Sequence, residues 1–405
     1  MKPMTAERVE GRWGAASRAN VPPFHVMDMI EASTARQRTH GDALNLLSGQ
    51  PSTGAPAAVA EEAVRLLRSS DPLGYTPATG ILELREAIAG HYGTRYDLDV
   101  SPDDVVVTTG ASGGFLLAFL AAFEVGDRVA MARPNYPCYR NVLQALGCEV
   151  VEIETGPETR FQPTVEQLDA LHRAGSGLQG VLLASPANPT GTMVLPEELA
   201  AIAAWCEEHR VQLISDEIYH GIEYAPLAGH AALARCAWET SREAVVFGSF
   251  SKYFSMTGWR IGWLLAPRRL RRPIDVLTGN FTICPPTLAQ RAAVRAFTPE
   301  AITELDGHVT RYAANRALLL DGLPGLGITR LAPADGAFYV YADVGHLTDD
   351  TMAFAHHLLA TTGVAVAPGI DFDTTDGGRF LRMSFAGDGG EIREALERLS
   401  TALAR

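Results

Sequence analysis

From about residue 80 the chain alternates short apolar runs with helical stretches, and few folds accept that pattern. Residues 105–109, 128–132, 149–153, 180–185, 212–216 and 244–250 read as strands. Residues 115–123 read as the body of a helix, and Pro196 opens another that runs to about His209, proline being at home in a first helical turn. Short apolar strands separated by helices imply a mostly parallel sheet covered on both faces. Sites in such sheets gather at the carboxyl ends of the strands. Thr109-Gly110, Ser185, Asp216 and Ser249 lie at those ends, so their polar groups converge on one crevice. After about residue 290 the pattern changes to a long helix (300–323), strands at 336–342, 364–368 and 380–384, and an amphipathic helix from Glu391. The expectation is α/β: an N-terminal arm with a helix (1–48), a large domain (49–288) and a smaller α+β domain (289–405).

Lysine is almost absent. Of 34 Lys and Arg residues only two are lysines, Lys2 and Lys252. Arginine does not deprotonate, whereas a desolvated lysine amine can, and can then attack a carbonyl to form a Schiff base. Scarcity alone fits a chance survivor of biased composition equally well. The neighbours decide: Ser249-Phe250-Ser251-Lys252 precedes Met256-Thr257-Gly258-Trp259-Arg260-Ile261-Gly262.

Composition narrows the classes further. The chain has 405 residues, is 47% hydrophobic and 20% charged, and carries a net charge of −13. That suits a two-domain globular protein acting on small molecules, and argues against nucleic acid or an anionic membrane as partner. Residues 1–13 are polar with no apolar stretch after them, unlike a secretory signal or anchor, so a cytoplasmic location is expected. The five cysteines are scattered and form no CxxC pair, which implies neither a disulfide framework nor a metal site. No P-loop pattern occurs.

The remaining polar groups form a chemical set. Gly110-Ala111-Ser112-Gly113-Gly114 joins a strand to a helix, whose free N–H groups and positive dipole end favour a phosphate. Ser185-Pro186-Ala187-Asn188-Pro189-Thr190-Gly191 is a turn carrying an amide, and Ser215-Asp216-Glu217-Ile218-Tyr219 ends a strand with a carboxylate and then a phenol. Taken singly, each has a plain structural explanation: Asp216 as a cap, Tyr136 and Tyr219 as packing, Asn188 as a turn residue and Arg382 as half of an ion pair. Their joint order is specific.

In that order the chain resembles the class I/II pyridoxal-phosphate-dependent aminotransferases of fold type I, the aspartate aminotransferase-like group, from about Asn45 to Ser384. The resemblance implies a mostly parallel seven-stranded sheet in the large domain and pyridoxal 5′-phosphate as cofactor. It implies that Lys252 holds the cofactor and, once released by substrate, moves the proton between Cα and the cofactor's C4′. Asp216 would face the pyridine nitrogen, and Asn188 and Tyr219 the ring's phenolic oxygen. Ser249 and Arg260, with the backbone of Ala111 and Ser112, would bind the phosphate. Tyr136, in Pro134-Asn135-Tyr136-Pro137, would stack on the ring. Arg382, in Arg382-Met383-Ser384, would grip the substrate α-carboxylate, with Gly49 of Gly49-Gln50-Pro51 nearby. Tyr75 would reach the phosphate of a neighbouring subunit, and Asn280-Phe281-Thr282 would cross the same interface, implying a homodimer with shared sites. No metal is implied.

Two rivals belong to other classes. Gly110-Ala111-Ser112-Gly113-Gly114 also satisfies G-x-S-x-G, the nucleophile elbow of serine hydrolases, with Asp343 and His346 as conceivable partners of Ser112. That reading leaves Lys252, Asn188, Asp216 and Arg260 unexplained. A non-enzymatic effector-binding domain lacks the basic DNA-binding module that would precede residue 45. The resemblance points to transamination by a ping-pong cycle between an L-amino acid and a 2-oxo acid such as pyruvate or 2-oxoglutarate. Ser112 stands where some aspartate-using relatives have a lysine, and Val21-Pro22-Pro23-Phe24 of the arm is apolar. A neutral aliphatic donor such as valine or alanine is therefore expected, with aspartate as the runner-up.

Overall fold

Seven strands build the central sheet of the computed structural model, which describes residues 14–224 and 234–403. They are Val105–Thr108 (β2), Arg128–Arg133 (β3), Glu149–Glu154 (β4), Gly180–Ala184 (β5), Gln212–Asp216 (β6), Val245–Ser249 (β7) and Gly262–Leu265 (β8), after the two-residue β1 (Leu44–Asn45). Their order is β2-β8-β7-β6-β5-β3-β4. β3, β4, β5, β6 and β7 pair in parallel, whereas β8 runs antiparallel to both β7 and β2. Every residue of β2, β6, β7 and β8 is buried, so these strands show no alternation of buried and exposed positions.

The sheet expected from the sequence is present, with one addition. β8, too short to stand out from a loop, is the reversed strand. Its start therefore lies at the edge where its neighbours end: Gly262 is in register with both Ser249 and Thr108. That reversal brings Arg260, two residues ahead of β8, to the edge that also carries Asp216 and Ser249.

The helix Gly110–Ala122 begins earlier than its apolar body suggested, directly after β2. It covers one face of the sheet, where Phe115 meets Phe247 with ring centroids 4.5 Å apart. Pro196–His209 forms the helix whose proline start and histidine end were expected.

A four-stranded sheet follows, made of Arg330–Leu331 (β9), Tyr339–Asp343 (β10), Ala367–Pro368 (β12) and Phe380–Ser384 (β13), in the order β12-β13-β10-β9. The stretch 364–368, expected as one strand, is divided. Val364–Ala365 (β11) pairs in parallel with β1, and only β12 joins β13. The helix Pro299–Gly322 precedes these strands, and Gly389–Leu403 packs against it.

The arm helix spans His25–His40 and ends at Gly41 in the left-handed conformation. Its Met29 is fully buried. Residues 1–13, including Lys2, lie outside the described residues. Among the described residues no helix is long and apolar enough to cross a membrane.

Phe247 is fully buried at the centre of β7. Phe247→Ala is expected to destabilise the large sheet by about 3–5 kcal/mol, read as a lowered urea midpoint of tryptophan fluorescence. A change below about 1 kcal/mol would mean that the Phe115–Phe247 packing does not anchor the helix to the sheet.

Candidate active site

At the carboxyl edge of the central sheet a cavity of about 370 Å³ opens between the two sheets and the arm. Its walls include Gly49, Ala111, Ser112, Tyr136, Asn188, Tyr219, Ser249, Lys252, Arg260 and Arg382. Residues spread over some 330 positions of sequence are thus brought together. Two expected residues lie outside its lining. Asp216 sits behind the wall, and Tyr75 is 83% exposed at the surface, apart from the cavity of its own chain.

One end of the cavity is built for an anion. Gly110 opens the helix with φ +67°, and no side chain caps the first turn, so its N–H donors are free for a ligand. The Arg260 guanidinium lies against this turn: a Cβ on Gly110 would sit 2.6 Å from Arg260 Nη2. Only glycine meets both the backbone and the space requirement. Arg260 also donates to the Thr257 carbonyl at 3.0 Å. The buried Ser249 hydroxyl accepts from the Ser251 N–H at 3.0 Å, which aims the Lys252 loop over the strand end.

Lys252 Nζ donates to the Gly49 carbonyl at 2.6 Å and lies 5.4 Å from the Tyr219 ring centroid. Burial lowers its pKa to about 8, reinforced by the nearby Arg382 and Arg260 charges and opposed by Asp216. The amine is thus closer to its neutral, nucleophilic form than a surface lysine.

Asp216 is 2% exposed and makes no ion pair among the described residues. Its carboxylate accepts from the Tyr139 hydroxyl and, at 3.1 Å, from the Ile218 N–H. Desolvation raises its pKa to about 6, with the Tyr139 bond opposing. A buried carboxylate of this kind gains strongly from a cation placed beside it.

Tyr219 and Asn188 face the same space. The Tyr219 hydroxyl is 2.7 Å from that of Tyr339, and Asn188 Oδ1 accepts from Arg382 Nη1 at 3.0 Å. Arg382, on β13, also donates through Nη2 to the Leu47 carbonyl at 2.8 Å, while its Nε is buried without a partner. The rings of Tyr339 and Phe372 flank the guanidinium at 4.5 and 4.8 Å. An arginine so held, with an unanswered donor, suits a carboxylate.

Several contributors escaped the sequence reading. Tyr139 follows Tyr136 by three residues, a helical spacing that was available as a signal. Tyr339 lies 120 positions from its partner Tyr219, so no local pattern marks it. Met27 and Ile30, on the arm helix, line the cavity beside Phe24 and Val26. Asp343 and His346 do not line it: Asp343 is paired with Arg379 at 2.8 Å and Arg330 at 3.4 Å. Neither therefore serves Ser112 as a triad partner, and the hydrolase reading fails.

Against this geometry, residues 41–399 match the model of the aminotransferase class I and II family. The chain belongs to that family. It is 62% identical to the valine–pyruvate aminotransferase of Mycobacterium tuberculosis over 96% of this chain and 98% of that protein. A crystal structure of an aminotransferase from the same organism superimposes with a TM-score of 0.93, covering 97% of this chain and all of that one at 62% identity. Aspartate aminotransferase from Thermus thermophilus superimposes with a TM-score of 0.86 at 31% identity, over 96% and 100% of the two chains. The protein is therefore a fold type I aminotransferase that uses pyridoxal 5′-phosphate to move an amino group between an amino acid and a 2-oxo acid. The residues present fit that cofactor: an anion cradle, an amine of lowered pKa and a buried carboxylate that makes no ion pair among the described residues.

An amine-reactive acylating reagent applied to cofactor-free protein should modify Lys252 with a half-maximal pH near 8, labelling rising as the amine loses its proton. Peptide mass spectrometry reads this directly. A midpoint at the ordinary lysine value, above about 10, would contradict the desolvated amine.

Proposed function

We propose that this aminotransferase takes a neutral aliphatic L-amino acid, valine or alanine, as donor and pyruvate or 2-oxoglutarate as acceptor, with Lys252 as the catalytic amine. The observation that carries the donor assignment is the cavity wall formed by Phe24, Val26, Met27 and Ile30. The cations lining the cavity are Lys252, Arg260 and Arg382, each with another task in this reading. An aspartate side chain would then set a second carboxylate against apolar surface, at the cost of losing its water. The valine–pyruvate activity named for the Mycobacterium tuberculosis relative supports the same reading.

When bound, the cofactor supplies a protonated pyridine ring that takes up the electron pair of the substrate Cα–H bond. Asp216 would hold the proton on the ring nitrogen, with Tyr139 donating to the Asp216 carboxylate. Arg260, Ser249 and the first-turn N–H groups of Ala111 and Ser112 would bind the phosphate. Tyr136 would pack against the ring, and Asn188 and Tyr219 would donate to its phenolic oxygen. Arg382 grips the donor's α-carboxylate next to Gly49, and a side chain on Gly49 would collide with the Tyr339 hydroxyl. Lys252 would take the proton from the donor's Cα. With the α-carboxylate fixed by Arg382, that proton rather than carbon dioxide is lost.

We also infer the division into an arm (1–48), a large domain (49–288) and a small domain (289–405). The pairing of β1 with β11 supports an arm that travels with the small domain. A homodimer with shared sites is proposed on two grounds. Tyr75 is solvent-exposed and outside its own cavity, and Phe281, in the segment expected at the interface, exposes apolar surface, as does the following Ile283.

A half-reaction screen tests the donor assignment. The cofactor's visible band should change with valine or alanine at a kcat/KM more than about tenfold above that for aspartate. Aspartate reacting faster would replace the aliphatic reading by the runner-up. Lys252→Ala should fold and give no turnover with any donor, and activity near the native level would remove Lys252 from the chemistry.

A further inference from the structure

The arm helix begins without a cap of its own. Its N-cap residue is Phe24, which has no side-chain acceptor for the orphan N–H groups of the first turn. Two of those donors are instead answered by a residue about 345 positions away. His25 N donates to Asp371 Oδ1 at 2.9 Å and Val26 N to Asp371 Oδ2 at 2.7 Å. A carboxylate is the group the positive end of a helix favours, and Asp371, 3% exposed, can make little use of water in its place. The His25 side chain lies 3.4 Å from Asp28 and also bears electrostatically on Asp371.

The stretch around Asp371 is itself tied to the active site. Arg140 Nη2 donates to the Asp371 carbonyl at 3.3 Å. The Asn135 N–H, in the turn that presents Tyr136, donates to the Phe372 carbonyl at 2.9 Å. The Phe372 ring, fully buried, is one of the two that flank the Arg382 guanidinium. On the other side of the junction, the helix entry carries Phe24, Val26, Met27 and Ile30 to the cavity. Phe24 meets the Tyr136 ring edge-on at 6.2 Å. One short segment thus touches the support of the carboxylate-binding arginine, the turn of the stacking tyrosine and the wall that faces the donor's side chain.

We infer that Asp371 is a positioning residue for donor specificity: its carboxylate staples the arm helix so that the apolar wall closes on an aliphatic side chain held by Arg382. Asp371 does not line the cavity and touches no reacting atom, so it acts only through the helix it holds. The inference rests on the aliphatic-donor reading and adds the residue that fixes the wall.

Two variants test it. Asp371→Asn keeps the volume and one strong acceptor, and Asp371→Ala removes both. In Asp371→Ala, kcat/KM for valine should fall about tenfold or more, with the loss mainly in KM, while that for alanine falls less than about threefold, because only the larger side chain reaches the wall. Asp371→Asn should lie between the two. Hydrogen–deuterium exchange of cofactor-free protein should show faster exchange in the peptide spanning residues 24–30 for Asp371→Ala, with peptides of the central sheet unchanged. Equal losses for valine and alanine would reduce Asp371 to a general structural role, and native exchange in the arm peptide would show that the staple does not hold the helix. Either result overturns the inference. If the unaltered enzyme prefers aspartate, the donor reading fails by itself, and the specificity role of Asp371 falls with it whatever the exchange result.

Discussion

Removal of water from one amine and one carboxylate is the constraint on which the site depends. Lys252 and Asp216 are each moved toward their neutral forms by burial, to about 8 and about 6. Displacements of this size correspond to about 3 kcal/mol per group. Both groups sit at the carboxyl edge of the central sheet, whose β6 and β7 are buried along their whole length. In the proposed assignment, a cofactor carrying an aldehyde and a pyridinium would suit this amine and this carboxylate. Tyr139 limits the penalty at Asp216 by donating to it, and the Gly49 carbonyl does the same for Lys252 by accepting from it.

The remaining geometry follows from how two sheets meet. The central sheet supplies the anion cradle, the carboxylate and the amine from the ends of β2, β6 and β7, and reversed β8 adds Arg260 to that edge. The four-stranded sheet supplies Arg382 from its interior strand β13, with β10 and β12 on either side. In the proposed assignment, cofactor-side and substrate-side groups therefore come from different sheets, and arm residues line the cavity between them. Asn188 joins the two sides, since its Oδ1 accepts from Arg382 while it stands just beyond the end of β5.

Much of this was legible in the chain. Each expected strand of the central sheet exists within a residue or so of its expected limits, because each carries a centre of Val, Leu, Ile, Ala, Met or Phe that packs into the buried layers. The polar residues at their ends announced the crevice for the same reason. β8 escaped because four residues shortly before a proline carry no periodicity, and its reversal is fixed only by pairing with β7 and β2. The break between β11 and β12 is equally a matter of partners: β11 answers β1, more than 300 positions earlier. Tyr339 and Asp371 illustrate the deeper limit. Their partners, Tyr219 and the first turn of the arm helix, are distant in sequence, so nothing local distinguishes them from ordinary strand and loop residues. Tyr75 shows the converse: its motif stood out, while its proposed place beside a cavity depends on a second copy of the chain.

The most direct measurement is borohydride reduction of the protein reconstituted with pyridoxal 5′-phosphate, followed by peptide mapping. A single stable cofactor mass on the peptide carrying Lys252, absent when that residue is alanine, is the predicted result. A protein that acquires no such mass, or acquires it at Lys2 or the chain's amino terminus instead, would contradict the account at its centre.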